Sequence, residues 1–184
     1  MLKAGKFLSK IIATEKWLDK NEELFQKIDQ SLITLVSEEV LASAVSTKNP
    51  DGVAALVEIA SILNYEVDNE DDFILVLDRI QDPGNMGNLF RTALAAGVNK
   101  ILLAGGAYPL GQKVLRASSG SVFHLPFKRF DGDDEVMINS LLASLDQFSQ
   151  NGFQIISTSS HKKVPNKSQK PYWEIDWTKR TVLI

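Results

Sequence analysis

Cysteine is absent from the 184 residues, which removes disulfides, thiolate metal sites and cysteine nucleophiles. It also suits a reducing compartment such as the cytoplasm. Histidine is scarce: His124 and His161 are the two present, they are not near each other, and together they supply too few ligands for a histidine metal centre. Set in the apolar VFHLPF, His124 reads as structural, and His161 as an exposed residue opening a basic loop. No run approaches the ~18 apolar residues of a membrane span. The opening MLKAGKFLSKII scatters its apolar residues among lysines, unlike a signal peptide. Basic charge is not in excess either, with 20 Lys and Arg against 23 Asp and Glu for a net charge of −3. A protein that coats nucleic acid is usually basic, so any RNA contact here must be local. The acids are bunched, in Glu66, Asp68, Glu70, Asp71 and Asp72 and again in Asp131, Asp133, Asp134 and Glu135. Such runs read as solvated loops and leave the remainder near neutral or mildly basic. Three motifs are missing as well: G-x-G-x-x-G after a strand, a Walker A loop, and a G-x-S-x-G nucleophile elbow. There is no internal repeat and no low-complexity tract.

What is present is an ordinary globular composition, 44% hydrophobic and 23% charged, long enough for one domain or two small ones. The chain is organised around FILVLDRIQDPGNMGNLFRTALAAG, residues 73–97. Phe73 to Leu77 is a continuous apolar run, which predicts a strand buried on both faces. Asp82 then Pro83 is a helix start, a carboxylate N-cap followed by a residue whose missing N–H is harmless at N1. Leu89, Phe90, Ala93, Leu94 and Ala96 come next at helical spacing, with Gly97 as the stop. Gly84 and Gly87 read as a glycine-broken turn between strand and helix. The turn carries Asn85, Asn88 and Arg91, where an α/β sheet places its ligand. Singly, each reads as helix-terminus polarity facing solvent. Together they resemble an anion site in which Arg91 holds a phosphate with its planar fork. Arginine remains protonated, so it is a poor proton acceptor. Lys113, Arg116 and the lysines between 162 and 170 would extend a phosphate-binding surface.

Along the rest of the chain, residues 14–28 predict a helix, 32–36 a strand, and Ser37 caps a short helix in EEVLASAV. Asn49-Pro50-Asp51-Gly52 is a turn, and 53–59 is a strand. Residues 64–72 read as an acidic linker. Residues 100–104 are a strand closed by Gly105-Gly106, a short helix lies within 109–117, and 118–121 is a turn. Residues 122–125 form a short apolar piece. Asp131 to Glu135 starts a helix that Asn151-Gly152 ends. Residues 153–157 and 181–184 are strands separated by a lysine-rich loop. The alternation predicts an α/β, doubly wound parallel sheet, preceded by a partial small α/β unit.

The stretch DRIQDPGNMGNLFRTA resembles the first signature motif of the SpoU/TrmH family of RNA 2'-O-ribose methyltransferases, in the SPOUT superfamily. The segment ILLAGGAYPLGQKVLRASSGSVFHLPF is similar to the family's next segment along the chain. TKNPDGVAALVEI resembles the end of the family's ribosomal-protein-like RNA-binding domain. The resemblance implies a partial substrate-binding domain at 1–63, a linker at 64–72 and a methyltransferase domain at 73–184. It implies methyl transfer from S-adenosylmethionine to a ribose 2'-hydroxyl of rRNA or tRNA, in the cytoplasm and in a homodimer, without metal. Carried over by position, Arg91 and Asn85 are the catalytic pair, with Arg91 on the phosphate beside the target ribose. Asn88, Lys113 and Arg116 would bind RNA. Thr158 and Ser159, after the FQIIS strand, fall where the family's cofactor pocket begins.

The family's second motif, a glycine-asparagine-glutamate-glycine turn, and its third, with serine-leucine-asparagine, have no counterpart. Those segments form the family's C-terminal knot and most of its cofactor pocket. The expectation is a chain truncated at both ends, with an incomplete pocket, inactive alone and prone to associate through uncovered strand faces. The alternative is a non-catalytic RNA-binding or dimerisation remnant of such an enzyme.

Overall fold

The computed structural model describes residues 8–59, 72–158 and 169–184. The chain divides into two compact units, residues 1–64 and 65–184.

The first unit is a three-stranded sheet. Its strands are β1 (Leu8–Ala13), β2 (Ile33–Leu35) and β3 (Val53–Val57), with β1 central, parallel to β2 and antiparallel to β3. β1 escaped the sequence reading because LSKIIA carries one short apolar pair among polar neighbours; Ile11 and Ala13 are the buried ends of its inward face. The single helix predicted over 14–28 is two short ones, α1 (Glu15–Lys20) and α2 (Glu22–Phe25). Asn21 breaks them: its side-chain amide donates to the Trp17 carbonyl at 2.8 Å, and its backbone leaves the helical region at φ −126°. Short amide side chains compete with the helix in this way. α3 (Glu38–Ala44) starts as expected on Ser37, whose hydroxyl accepts from the Val40 N–H, and it buries Leu41.

The second unit is a five-stranded, wholly parallel sheet. Its strands are β4 (Phe73–Asp78), β5 (Lys100–Ala104), β6 (Phe127–Phe130), β7 (Gln154–Ile156) and β8 (Thr181–Leu183), in the order β6-β5-β4-β8-β7. The first signature strand, β4, is therefore central, which is why its apolar run is continuous. The helices are α4 (Pro83–Ala95), α5 (Gln112–Ser118) and α6 (Asp134–Gln150). Met137 of α6 packs with Ile74, Val76, Leu102, Ala104, Phe130 and Val182 on one face of the sheet. Ile101 and Leu103 point to the other face by strand alternation. There Phe90 of α4 meets Phe127 edge-on, ring centroids 5.8 Å apart. The predicted doubly wound parallel sheet is what forms. β6 was missed because FKRF is an edge strand with two charged residues between its buried phenylalanines. The apolar piece at 122–125 is in part a 3₁₀ turn, Ser121–Phe123.

One correction matters for the site. Gly84 and Gly87 do not open a turn; both lie inside α4, which begins at Pro83. Gly87 is buried against α5. A Cβ there would sit 2.5 Å from the Ala117 Cβ and 2.7 Å from the Ser118 backbone nitrogen. Alanine is the better helix former by about 1 kcal/mol, yet here it would collide with backbone that cannot rotate away. Gly87→Ala is therefore expected to lower stability by about 1–3 kcal/mol in urea titration. A gain in stability would mean the two helices are not this close.

Candidate functional site

The site lies at the carboxyl ends of the strands, outside the central β4. The chain leaves β4 through Arg79, a bulky residue in the left-handed region at φ 51°, a conformation that costs energy and clusters at functional turns. Its N–H donates to the Ala104 carbonyl at 2.8 Å. Its guanidinium lies 3.7 Å from both Asp78 and Asp134. The loops after β4 and β5 touch: a Cβ on Gly106 would fall 2.5 Å from the Ile80 carbonyl oxygen. Asp82 then caps α4, its carboxylate accepting the Asn85 N–H at 2.7 Å.

α4 separates two open grooves. The larger, about 470 Å³, is lined by Arg79, Gln81, Asp82, Asn85, Asn88 and Thr92, with Ile80 and Leu89 as its apolar part. The smaller, about 270 Å³, is lined by Arg91, Ser118, Ser119, Ser121 and His124 against Leu94 and Ala95. Asn85 and Asn88 therefore share a groove, and Arg91 does not join them. Six positions along a helix turn through about 600°, which leaves Asn85 and Arg91 about 120° apart around the axis. That separation was available from the spacing alone. The residues that accompany each one were not, since they come from β4's exit loop and from α5.

Both asparagine side chains and the Arg91 guanidinium are exposed, and among the described residues none of the three makes a side-chain hydrogen bond or ion pair. Lys113 and Arg116 are exposed on α5 and line neither groove. Thr158 stands just beyond β7, and both its N–H (2.8 Å) and its hydroxyl (3.0 Å) donate to the Ile184 carbonyl. It can thus offer a ligand only acceptor lone pairs. Ser159 lies outside the described residues, as do His161 and the lysines at 162, 163 and 167. His124, read from sequence as structural, is half-buried and lines the Arg91 groove. Sequence reasoning missed Arg79, Gln81 and Thr92 in the larger groove and Ser118, Ser119 and Ser121 in the smaller. Among the described residues no cluster of acids or histidines could hold a metal ion, and no helix is long and apolar enough to cross a membrane.

A parallel doubly wound unit with polar grooves at its carboxyl edge, preceded along the chain by a small mixed sheet, defines a two-unit α/β protein. The SpoU rRNA Methylase family pattern matches residues 72–184, and the RNA 2'-O ribose methyltransferase substrate binding pattern matches residues 1–63. The chain belongs to the SpoU rRNA methylase family. It is 38% identical over its whole length to an uncharacterized tRNA/rRNA methyltransferase of Synechocystis sp., covering 62% of that protein. It is 28% identical over 82% of its length to the 23S rRNA (guanosine(2553)-2'-O)-methyltransferase RlmP of Bacillus subtilis, covering 53% of it. Among solved structures it resembles an AdoMet-bound rRNA methyltransferase from Sinorhizobium meliloti at 25% identity. That match has a TM-score of 0.67 and covers 100% of this chain and 67% of the other. The chain thus spans between about half and two thirds of the length of these relatives.

The Asp82 cap fixes the start of α4, the helix that contributes residues to both grooves. Asp82→Ala is expected to cost about 1 kcal/mol of stability, and Asp82→Asn to recover most of it. Equal losses in both variants, measured by chemical denaturation, would show that the carboxylate serves something other than the cap.

Proposed function

We propose that this chain carries substrate-binding and catalytic parts of an enzyme that methylates a ribose 2'-hydroxyl of rRNA or tRNA. In this reading residues 1–63 bind RNA, 64–72 are a linker and 73–184 form the methyltransferase domain. The observation that supports it most is Arg91. It is an arginine on the helix that follows the central strand, exposed in a polar groove, with no carboxylate lining that groove and no described residue neutralising its charge. A guanidinium so placed can grip a phosphate through paired N–H groups and fix the neighbouring ribose for attack, which is where positioning lowers a barrier. Removal of the hydroxyl proton then falls to a group next to that phosphate, or to the phosphate oxygen itself, because the arginine stays protonated.

Asn85 would act with Arg91 from the other side of α4, through a carboxamide that is free to donate and accept. Asn88 would bind RNA in the same groove, and Lys113 and Arg116 would add surface charge for the RNA backbone. S-adenosylmethionine, which the Sinorhizobium meliloti relative binds, would supply the methyl group on a strongly electrophilic sulfonium. Thr158, at the carboxyl edge of the sheet, would meet it through its acceptor lone pairs, and Ser159 would be the second cofactor-binding residue. A homodimer and a cytoplasmic setting complete the reading; the cysteine-free composition suits the latter.

Calorimetric titration of the folded chain with S-adenosylmethionine, followed by a methyl-transfer assay on rRNA and tRNA, tests this. Saturable binding and transfer that Arg91→Ala reduces at least about tenfold are expected, the scale of one lost charge-assisted contact. RNA binding without cofactor binding would instead make the chain an RNA-binding module of its family.

A further inference from the structure

We infer that His124 and Ser119 complete, with Arg91, a site for one phosphodiester of the RNA backbone, in the smaller groove between α4 and the end of α5. The inference rests on the reading of Arg91 as a phosphate anchor and adds to it the groups that share the load. Three side chains able to donate hydrogen bonds line this concavity: Arg91, His124 and Ser119. Among the described residues none of these side chains has a hydrogen-bond or ion-pair partner. The other two serines are already committed. Ser118 Oγ donates to the Leu115 carbonyl at 2.9 Å, and Ser121 Oγ donates to the Ser118 carbonyl at 2.8 Å. Those bonds brace the turn that carries Ser119, which is itself held left-handed at φ 48°.

The electrostatics separate this groove from its neighbour. The larger groove includes the Asp82 carboxylate, and its arginine, Arg79, already faces Asp78 and Asp134. An added anion there meets the Asp82 carboxylate and an arginine whose charge is already shared with two aspartates. No acidic residue lines the smaller groove, although acids outnumber bases in the chain by 23 to 20. A concavity lined by unpaired donors, with no carboxylate, selects an oxyanion. Leu94 and Ala95 give it an apolar wall on which a ribose can rest, so a nucleic-acid backbone fits better than a free ion.

The test uses the full chain and a short fluorescein-labelled single-stranded RNA, with binding read by anisotropy at low salt, where phosphate contacts are strongest. His124→Phe removes the donors and keeps the shape. His124→Asn restores a donor. Ser119→Ala removes the hydroxyl, and Arg91→Ala sets the scale. Expected are losses of about tenfold for Arg91→Ala and about three- to tenfold for His124→Phe. A smaller loss is expected for Ser119→Ala, substantial recovery in His124→Asn, and unchanged melting temperatures throughout. Inorganic phosphate at the same phosphate concentration should displace little RNA.

If Arg91→Ala weakens binding while His124→Phe and Ser119→Ala do not, the three-residue site is overturned and the Arg91 reading stands. If His124→Asn fails to recover what His124→Phe loses, His124 is structural and the inference fails. Complete displacement by inorganic phosphate would overturn the assignment to an RNA backbone. If the unsubstituted chain shows no saturable binding, or Arg91→Ala has no effect, both readings fall.

Discussion

The contact between Gly87 and the backbone of α5 is the constraint on which the site depends. A glycine in the interior of a helix costs about 1 kcal/mol relative to alanine, and α4 carries one on its buried face. The return is proximity. Without a Cβ at position 87, the end of α5 lies directly against α4, so the serine turn at 118–121 and His124 reach the groove that Arg91 lines. Any side chain there would push the two helices apart and separate the arginine from the residues that surround it. The packing of the core and the chemistry of the groove are therefore set by one position.

A second constraint is the placement of α4 itself. It comes directly after the central strand, starts on the Asp82 cap and ends at Gly97. Gly97 takes the left-handed conformation, at φ 78°, that a helix stop requires. Both ends are capped, and Phe90, seated against Phe127, sets which face of the helix is buried. Its polar residues are then divided between two sides. Asn85, Asn88 and Thr92 face the exit loop of β4, where Arg79 is already balanced by aspartates. Arg91 faces α5, where no carboxylate lines the groove. In a net acidic protein this leaves one groove on α4 with a basic residue and no acidic one in its lining.

Much of this was legible in the sequence. The buried run at 73–77, the Asp82-Pro83 start, the Gly97 stop and the periodicity of α6 each obey local rules, and together they predict a parallel doubly wound sheet. The family was legible as well, because the motif around Asn85 and Arg91 is long. The failures have physical causes. β1 and β6 are short and partly charged, so their burial depends on partners far along the chain. The helix over 14–28 was interrupted by the side chain of Asn21, a competition that periodicity does not register. Gly84 and Gly87 read as a turn because a glycine's flexibility and its lack of volume look alike in a sequence; here the second matters. His124 read as structural among apolar neighbours; that it also lines the groove of Arg91 follows from tertiary placement, which the local sequence does not register.

The central claim is that α4 divides the site and that the RNA backbone lies on the Arg91 side. The most direct measurement is a proton–nitrogen correlation spectrum of the labelled chain titrated with a short single-stranded RNA. The account predicts that backbone shifts appear first at Arg91, Leu94, Ala95 and the 118–124 turn, and reach Asn85 and Asn88 only as the RNA approaches saturation. Early shifts confined to residues 79–88, with the 118–124 turn unmoved, would contradict it.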